Sequence, residues 1–186
     1  MNKNIFAIVL FLITALFVSC NSCCTETIKT SNNGNTETNI TEYKLPDNIV
    51  CDSSFLDGCV SYSSKNMKID LSVNTNVYPF VVKDSIGSKS MFVLFTTNRY
   101  DKLYISQMNI TDSEDYAINT NYVSNIKTNS KYESMLFYID NKDYDFLIRP
   151  NGNIKVNVWG LFGSMSVKLD SIQTKSFSEL AEFAKN

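Results

Sequence analysis

The stretch that decides the fold is Ile154-Lys-Val-Asn-Val-Trp-Gly-Leu-Phe-Gly-Ser-Met-Ser-Val-Lys-Leu169. Apolar and polar residues alternate at its beginning and again at its end, and Gly160 to Gly163 interrupt the alternation. Because successive side chains of a strand point to opposite faces, each half is predicted to be a half-buried strand. The glycine-flanked centre predicts a tight turn, so the whole stretch indicates an antiparallel hairpin.

Two more strands are predicted just before this hairpin, at residues 132–139 and 144–149. The turn formers of Asp140-Asn-Lys-Asp143 separate them, and Pro150-Asn-Gly152 follows the second. Four strands joined by short turns predict an antiparallel meander. After it, Ser176-Phe-Ser-Glu179 has the pattern of a capping box and predicts a short C-terminal helix. The apolar face of that helix is expected to contain Phe177, Leu180, Ala181 and Ala184 and to pack on the sheet.

The preceding part of the chain predicts further strands at residues 48–50, 59–62, 67–73, 77–82, 91–95, 103–108 and 122–126. Pro79 has no N–H for a ladder and predicts an edge strand or a bend, whereas the apolar run from Met91 to Phe95 predicts a central strand. Asp112-Ser-Glu-Asp115 predicts a helix start, with Asp112 as N-cap, or a solvated turn; a calcium loop is the less supported alternative. The fold class predicted is mainly β: an antiparallel β-sandwich or β-barrel with a short C-terminal helix.

The first residues of the chain have the layout of a secretory signal peptide, predicted for residues 1–19. Lys3 precedes an uncharged apolar run from Ile5 to Val18. These 14 residues would span roughly 21 Å as a helix, less than the ~30 Å hydrocarbon core of a bilayer. A retained membrane-spanning helix is therefore disfavoured.

The end of this segment, Phe17-Val18-Ser19-Cys20, resembles the lipobox of bacterial lipoproteins. The resemblance implies that the Cys20 thiol receives a diacylglycerol and that the peptide is cut just before it. It also implies an outer-membrane location, since Asn21 stands where such proteins carry an Asp when they stay in the inner membrane. The abundance of Asn, Ile and Lys is typical of a low-GC bacterium, such as a spirochaete. An ordinary signal peptide cut near Ser22, and hence a secreted protein, is the alternative.

The chain after the signal peptide is predicted to have two parts. Residues 20–44 combine the lipidated cysteine with a polar segment rich in Asn, Ser and Thr, which buries too little apolar surface to offset its ordering entropy and is expected to be a flexible tether. Residues 45–186 are expected to form a single β-rich domain.

The chain has five cysteines, an odd number, so disulfides within an exported chain would leave at least one cysteine unpaired. Acylation of Cys20 would leave four. Cys51 and Cys59 enclose a plausible turn and are predicted to form a disulfide. Cys23 and Cys24 lie beside the predicted anchor, and the sequence leaves their state open.

Composition excludes several functions. The chain has no histidine, which removes histidine-based catalytic machinery and the commonest metal ligand, and no metal or cofactor is predicted. Its 17 basic and 19 acidic residues give a net charge of −2, which disfavours nucleic-acid binding. The predicted function is binding or contact with an envelope or host-surface partner, with the lipid anchor holding the protein on the membrane.

Two other functions stay open at this point. A β-barrel carrier of a small apolar ligand would need a large apolar cavity. A histidine-free hydrolase would need paired carboxylates, for which Asp140, Asp143 and Asp145 are the candidates. An aromatic binding face is a further possibility, although core packing explains its members more simply: Tyr132, Phe137, Tyr138, Tyr144 and Phe146.

Overall fold

The computed structural model describes residues 27–32, 35–40, 45–54, 59–67, 74–98, 102–128 and 132–186. Its strands are β1 (Thr27–Asn32), β2 (Asn35–Ile40), β3 (Ile49–Ser54), β4 (Val60–Ser64), β5 (Thr75–Lys83), β6 (Lys89–Thr97), β7 (Ile105–Thr111), β8 (Ala117–Asn119), β9 (Asn121–Thr128), β10 (Glu133–Ile139), β11 (Lys155–Gly160) and β12 (Gly163–Lys168). A 3₁₀ turn (Asn141–Asp143) leads into helix α1 (Tyr144–Ile148), and the chain ends with helix α2 (Ser171–Lys185). Apart from Met67, the strand predicted at residues 67–73 lies outside the described residues.

The strands form three antiparallel sheets. The largest has six strands in the order β3-β4-β5-β6-β10-β9, the second has the order β12-β11-β7-β8, and β1 pairs with β2 alone. The two larger sheets give a sandwich-like architecture rather than a closed barrel. The prediction of a mainly β antiparallel fold with a short C-terminal helix is therefore confirmed, and its barrel alternative is wrong.

One continuous core joins the two larger sheets and α2. In the six-stranded sheet, Val93 of β6 is paired with Phe137 of β10, and both are fully buried. In the four-stranded sheet, Val156 and Val158 of β11 are fully buried, as the alternation predicted. Helix α2 covers part of the large sheet, where the Phe183 ring lies 4.8 Å from that of Tyr62 on β4. The predicted apolar face of this helix is confirmed, since it buries Phe177, Leu180, Ala181 and Ala184.

The meander predicted for the C-terminal third is wrong. Residues 144–148, predicted as a strand, form helix α1, and β10 belongs to a different sheet from β11 and β12. Tyr144 and Leu147, three positions apart, are both buried against the core, which suits a helical turn. The Ser178 hydroxyl of α2 donates to the Ile148 carbonyl at 2.8 Å, so the last turn of α1 is satisfied by the neighbouring helix.

The start predicted for the last helix is also wrong. Helix α2 begins five residues before Ser176, and Asp170 is its N-cap. The Asp170 carboxylate accepts from the Gln173 N–H at 2.8 Å, and the Gln173 side chain accepts from the Asp170 N–H at 3.0 Å. Asp170-x-x-Gln173 is itself a capping-box arrangement and lies earlier in the chain. Ser176 is inside the helix, where its hydroxyl donates to the Ile172 carbonyl at 3.0 Å.

Two predictions for single residues need correction. Strand β5, which contains Pro79, lies between β4 and β6 and is not an edge strand. Its pairing with β4 ends at Ser63 and Phe80, so Pro79 sits just past the last paired residue on that side. Asp112 caps no helix: its carboxylate accepts from the backbone N–H groups of Glu114 and Tyr116 at 2.9 and 3.1 Å, which confirms the turn alternative.

The segment predicted as a tether contains a hairpin. Strands β1 and β2 pair from Thr27 with Ile40 to Asn32 with Asn35. The sequence predicted no strand here, because few large apolar residues are present; the tethering role itself stays a prediction. No helix among the described residues is long and apolar enough to cross a membrane.

Candidate functional site

The side of the four-stranded sheet that faces away from the core is the candidate binding surface, and we call it the outer face. On β11, one of its two inner strands, Val156 and Val158 point into the core. The residues between and beside them therefore point outward: Lys155, Asn157 and Trp159. The alternation that builds the core thus also fixes which side chains the surface presents.

Strand register arranges the outer face in three rows across the sheet. The tryptophan row contains Ser164, Trp159 and Gln107. The amide row contains Ser166, Asn157, Asn109 and Asn119. The lysine row contains Lys168, Lys155, Thr111 and Ala117. Neighbouring rows are two residues apart along each strand, so the first and last rows are separated by about 13 Å.

The amide row is held by hydrogen bonds among its own side chains and to Thr111 of the lysine row. The Asn157 amide donates to the Asn109 carbonyl oxygen Oδ1 at 2.9 Å and to the Thr111 hydroxyl at 3.3 Å. The Ser166 hydroxyl donates to Asn157 Oδ1 at 2.6 Å. Asn157 is only 8% exposed, and these bonds hold its side chain in one orientation. The row is therefore ordered before any partner arrives.

The tryptophan row carries the only tryptophan of the chain. Trp159 is 38% exposed, and its indole N–H has no hydrogen-bond partner in the described part of the chain. Its neighbour Gly160 has no room for a side chain, because a Cβ there would collide with the Leu103 carbonyl. Close packing of backbone at this point holds the end of β11 in place beside the exposed ring.

An apolar tip continues the outer face beyond the tryptophan row. Leu161 and Phe162, in the β11–β12 turn, are 75% and 68% exposed. The Phe162 ring lies edge-on to that of Tyr104, with centroids 5.5 Å apart. The Phe162 N–H donates to the Leu103 carbonyl at 3.2 Å, which ties the turn to the residues before β7.

The lysine row places two like charges side by side. Lys155 and Lys168 are direct cross-strand partners, and Lys168 is exposed. Neither ammonium has an ion-pair partner among the described residues. Like charges directly opposite each other destabilise a sheet. An anion bound between the two ammonium groups would offset this repulsion.

A second candidate is an open basic cavity of about 500 Å³ beside the C-terminal end of α2. Its lining includes Lys83, Lys89, Lys185, Asn141 and the Phe183 ring. The Lys89 ammonium donates to the Phe183 carbonyl at 3.2 Å and lies 4.2 Å from the centroid of its ring. Burial, and then the charge of Lys83, lowers the pKa of Lys89. A cavity lined by lysines is not the apolar chamber that a carrier of apolar ligands needs.

The carboxylates considered for hydrolysis lie on the 3₁₀ turn and α1, and two of the three have lysine partners. Asp140 pairs with Lys142 at 3.5 Å, and Asp145 pairs with Lys185 at 2.6 Å. Burial raises the pKa of Asp143, Lys142 opposes this, and Asp140 adds to it. Both ion pairs lie at the surface of the domain.

The predicted aromatic face does not form as one surface. Phe137 and Tyr144 are buried in the core, as the packing interpretation predicted. Tyr138 lies on the opposite side of the large sheet, 5.6 Å from the Phe92 ring. Phe146 packs 5.3 Å from Tyr116 instead.

The described residues include Cys51 and Cys59 but not the predicted lipid-attachment site. Cys20 lies outside the described residues. Cys51 is opposite Tyr62, whereas the buried Cys59 comes three residues before Tyr62. That offset is roughly 10 Å along the strands, and a disulfide needs Cα atoms within about 7 Å. The disulfide stays a prediction.

Sequence reasoning missed the outer face as a site. The patterns Lys155-x-Asn157-x-Trp159 and Ser164-x-Ser166-x-Lys168 predict only the polar halves of two strands. The signal was present in the outward positions, but it becomes a surface only when the register of β7 against β11 is known.

No protein-family model matches the chain, and no match was found among curated proteins or solved structures. Within the described part of the chain, no three His, Cys, Asp or Glu residues are grouped so that they could hold a metal ion.

Proposed function

We propose that the protein is a bacterial lipoprotein, anchored in the outer membrane through Cys20, whose domain acts by binding rather than by catalysis. The anchor is supported by the sequence Phe17-Val18-Ser19-Cys20 at the end of an apolar signal segment. Two or more acyl chains hold a protein stably on a bilayer, whereas one does not. Asn21 supports the outer-membrane location.

The binding role is supported above all by the outer face. It is an open surface with hydrogen-bonded side chains in its amide row and an exposed tryptophan, and large aromatic side chains are enriched among residues that dominate binding energy. The candidate carboxylates offer less to a hydrolase, since Asp140 and Asp145 are engaged in ion pairs with lysines. The partner is expected to be a component of the cell envelope or of a host surface.

The intact mass of the protein extracted from native membranes tests the anchor. The expected mass is that of a chain starting at Cys20 plus a diacylglycerol, with or without a further acyl chain. The Cys20→Ser variant should lack the lipid, and Cys23→Ser is the matched control that should keep it. An unmodified chain starting near Cys23 would overturn the lipoprotein proposal and leave a secreted binding protein.

A further inference from the structure

We propose that the outer face binds an acidic oligosaccharide, with a sugar ring on Trp159 and an anionic group at Lys155 and Lys168. The inference rests on the binding role proposed above and names its ligand class. The three rows offer, in order, an aromatic ring, a band of neutral hydrogen-bonding groups and a pair of positive charges. A short oligosaccharide with a carboxylate or sulfate group has the complementary features in one molecule.

The tryptophan row fits a pyranose ring. One side of such a ring is a patch of C–H groups that packs on an indole face, while its hydroxyls lie around the rim. Trp159 presents an exposed ring, and Gln107 and Ser164 flank it across the sheet. Their side chains are exposed and carry both donors and acceptors, which hydroxyl groups require.

The amide row fits the hydroxyls of a second ring. Asn157 is fully engaged with its neighbours, so it serves as the fixed support of the row. Asn109 accepts from Asn157 through Oδ1, and its own amide N–H₂ group has no partner in the described part of the chain. Asn119 is exposed beside it. Ordered donors of this kind bind without the entropy cost of fixing free side chains.

The lysine row sets the charge of the ligand. Lys155 and Lys168 repel each other, and a carboxylate or sulfate between them replaces that repulsion with two attractions. The distance of about 13 Å from the tryptophan row requires a ligand of more than one ring. The surface therefore selects an acidic oligosaccharide over a neutral one and over a monosaccharide.

Other partners fit the outer face less well. The exposed apolar side chains of the outer face, Trp159, Leu161 and Phe162, lie at one end of it, whereas its middle is the polar amide row; a stable protein interface has its apolar residues at the centre. The three rows contain two lysines and no arginine, too few cationic groups for the run of phosphates in a nucleic acid. A protein or nucleic-acid ligand is therefore an outcome that would contradict the proposal.

The test uses the full mature protein in detergent, after its intact mass has been measured, so that failure of the anchor is recognised separately. It is applied to an immobilised panel of oligosaccharides of one to eight rings that carry carboxylate, sulfate or no charge. Binding to acidic members with two or more rings is expected. Carboxylate-only or sulfate-only binding identifies the source of the negative charge.

Because Trp159 is the only tryptophan, its fluorescence reports directly on the site. Titration with the best panel member should change the emission of the wild type. Trp159→Ala should weaken panel binding about tenfold or more. Lys155→Gln with Lys168→Gln should weaken it and reduce its salt dependence between about 0.05 and 0.5 M NaCl. Tyr122→Ala, an exposed aromatic on the six-stranded sheet, is the matched control and should bind like the wild type.

Three results would overturn the proposal: no panel member binds, binding survives Trp159→Ala unchanged, or neutral members bind as well as acidic ones. Circular dichroism of each variant separates a lost site from a lost fold. If Trp159→Ala fails to fold, Gln107→Ala and Ser164→Ala together provide the second variant. They flank the ring on exposed positions and should weaken binding without unfolding the sheet.

Discussion

At the scale of single residues, Tyr144 links α1 to the large sheet. Its side chain is almost fully buried, and its hydroxyl accepts a hydrogen bond from the Met91 N–H of β6 at 2.9 Å. Burial raises the pKa of Tyr144 to about 12, against the opposing effect of the Met91 hydrogen bond. A neutral phenol is therefore part of the folded state.

The raised pKa predicts how stability depends on alkaline pH. Between about pH 10 and pH 12 the unfolded chain loses the Tyr144 proton while the folded protein keeps it, so the free energy of unfolding falls as pH rises. Tyr144→Phe should reduce this fall, although Tyr138, whose pKa is also raised by burial, still contributes. At neutral pH the variant should lose about 1–3 kcal/mol, because the Met91 N–H loses its acceptor.

Urea unfolding at several pH values measures both effects. Tyr122→Phe is the matched control, since its hydroxyl is on an exposed residue and makes no hydrogen bond in the described part of the chain. It should keep the stability of the wild type at neutral pH. An unchanged slope in Tyr144→Phe would contradict the role assigned to the buried phenol.

At the scale of elements, the N-terminus of α2 depends on one carboxylate. Asp170→Ala removes the acceptor of the Gln173 N–H and half of the capping box, and should cost about 1 kcal/mol. Ser171→Ala, one residue later on an exposed position, is the control and should change the thermal midpoint far less. Equal decreases of the thermal midpoint in the two variants would show that the capping box of Asp170 and Gln173 does not stabilise the start of α2.

The elements also show how far sequence alone reaches. The continuous apolar run from Met91 to Phe95 found β6, whereas alternation found β11 and β12, because each turns one face to the core and the period of two is local information. It failed at α1, where five residues match a strand about as well as a helical turn. The helical conformation is favoured by contact with α2, where the Ser178 hydroxyl donates to the Ile148 carbonyl. These two residues are 30 positions apart in the sequence.

The outer face was unpredictable for a related reason. Trp159 and Gln107 become neighbours only through pairing between β11 and β7, strands more than 40 residues apart. Nothing local in either strand encodes that register. What the sequence did indicate was the identity of the outward positions, which follow from the same alternation that predicts the core.

At the scale of the whole molecule, a buried carboxylate ties the two large sheets together. Glu133 belongs to β10 of the six-stranded sheet and is 2% exposed. Its carboxylate accepts from the N–H groups of Leu103 and Ile105, at 2.8 and 3.3 Å, where the chain enters β7 of the other sheet. A carboxyl group this well buried depends on those two donors, so the sheets are expected to unfold as one cooperative unit.

That unit is predicted to begin at Leu45, which gives a test of the whole architecture. Leu45 packs against the core, and the Ile49 N–H donates to the Pro46 carbonyl at 2.9 Å. The predicted tether ends at Lys44, a trypsin site. Brief trypsin digestion should therefore release a fragment that starts at Leu45, and Lys44→Gln should delay that cut. The fragment should unfold in one transition within about 3 °C of the intact protein, a shift of less than about 1 kcal/mol for a domain of this size. First cuts inside residues 45–186 would contradict the predicted boundary. A much lower thermal midpoint of the fragment would mean that the β1–β2 hairpin contributes to the stability of the domain.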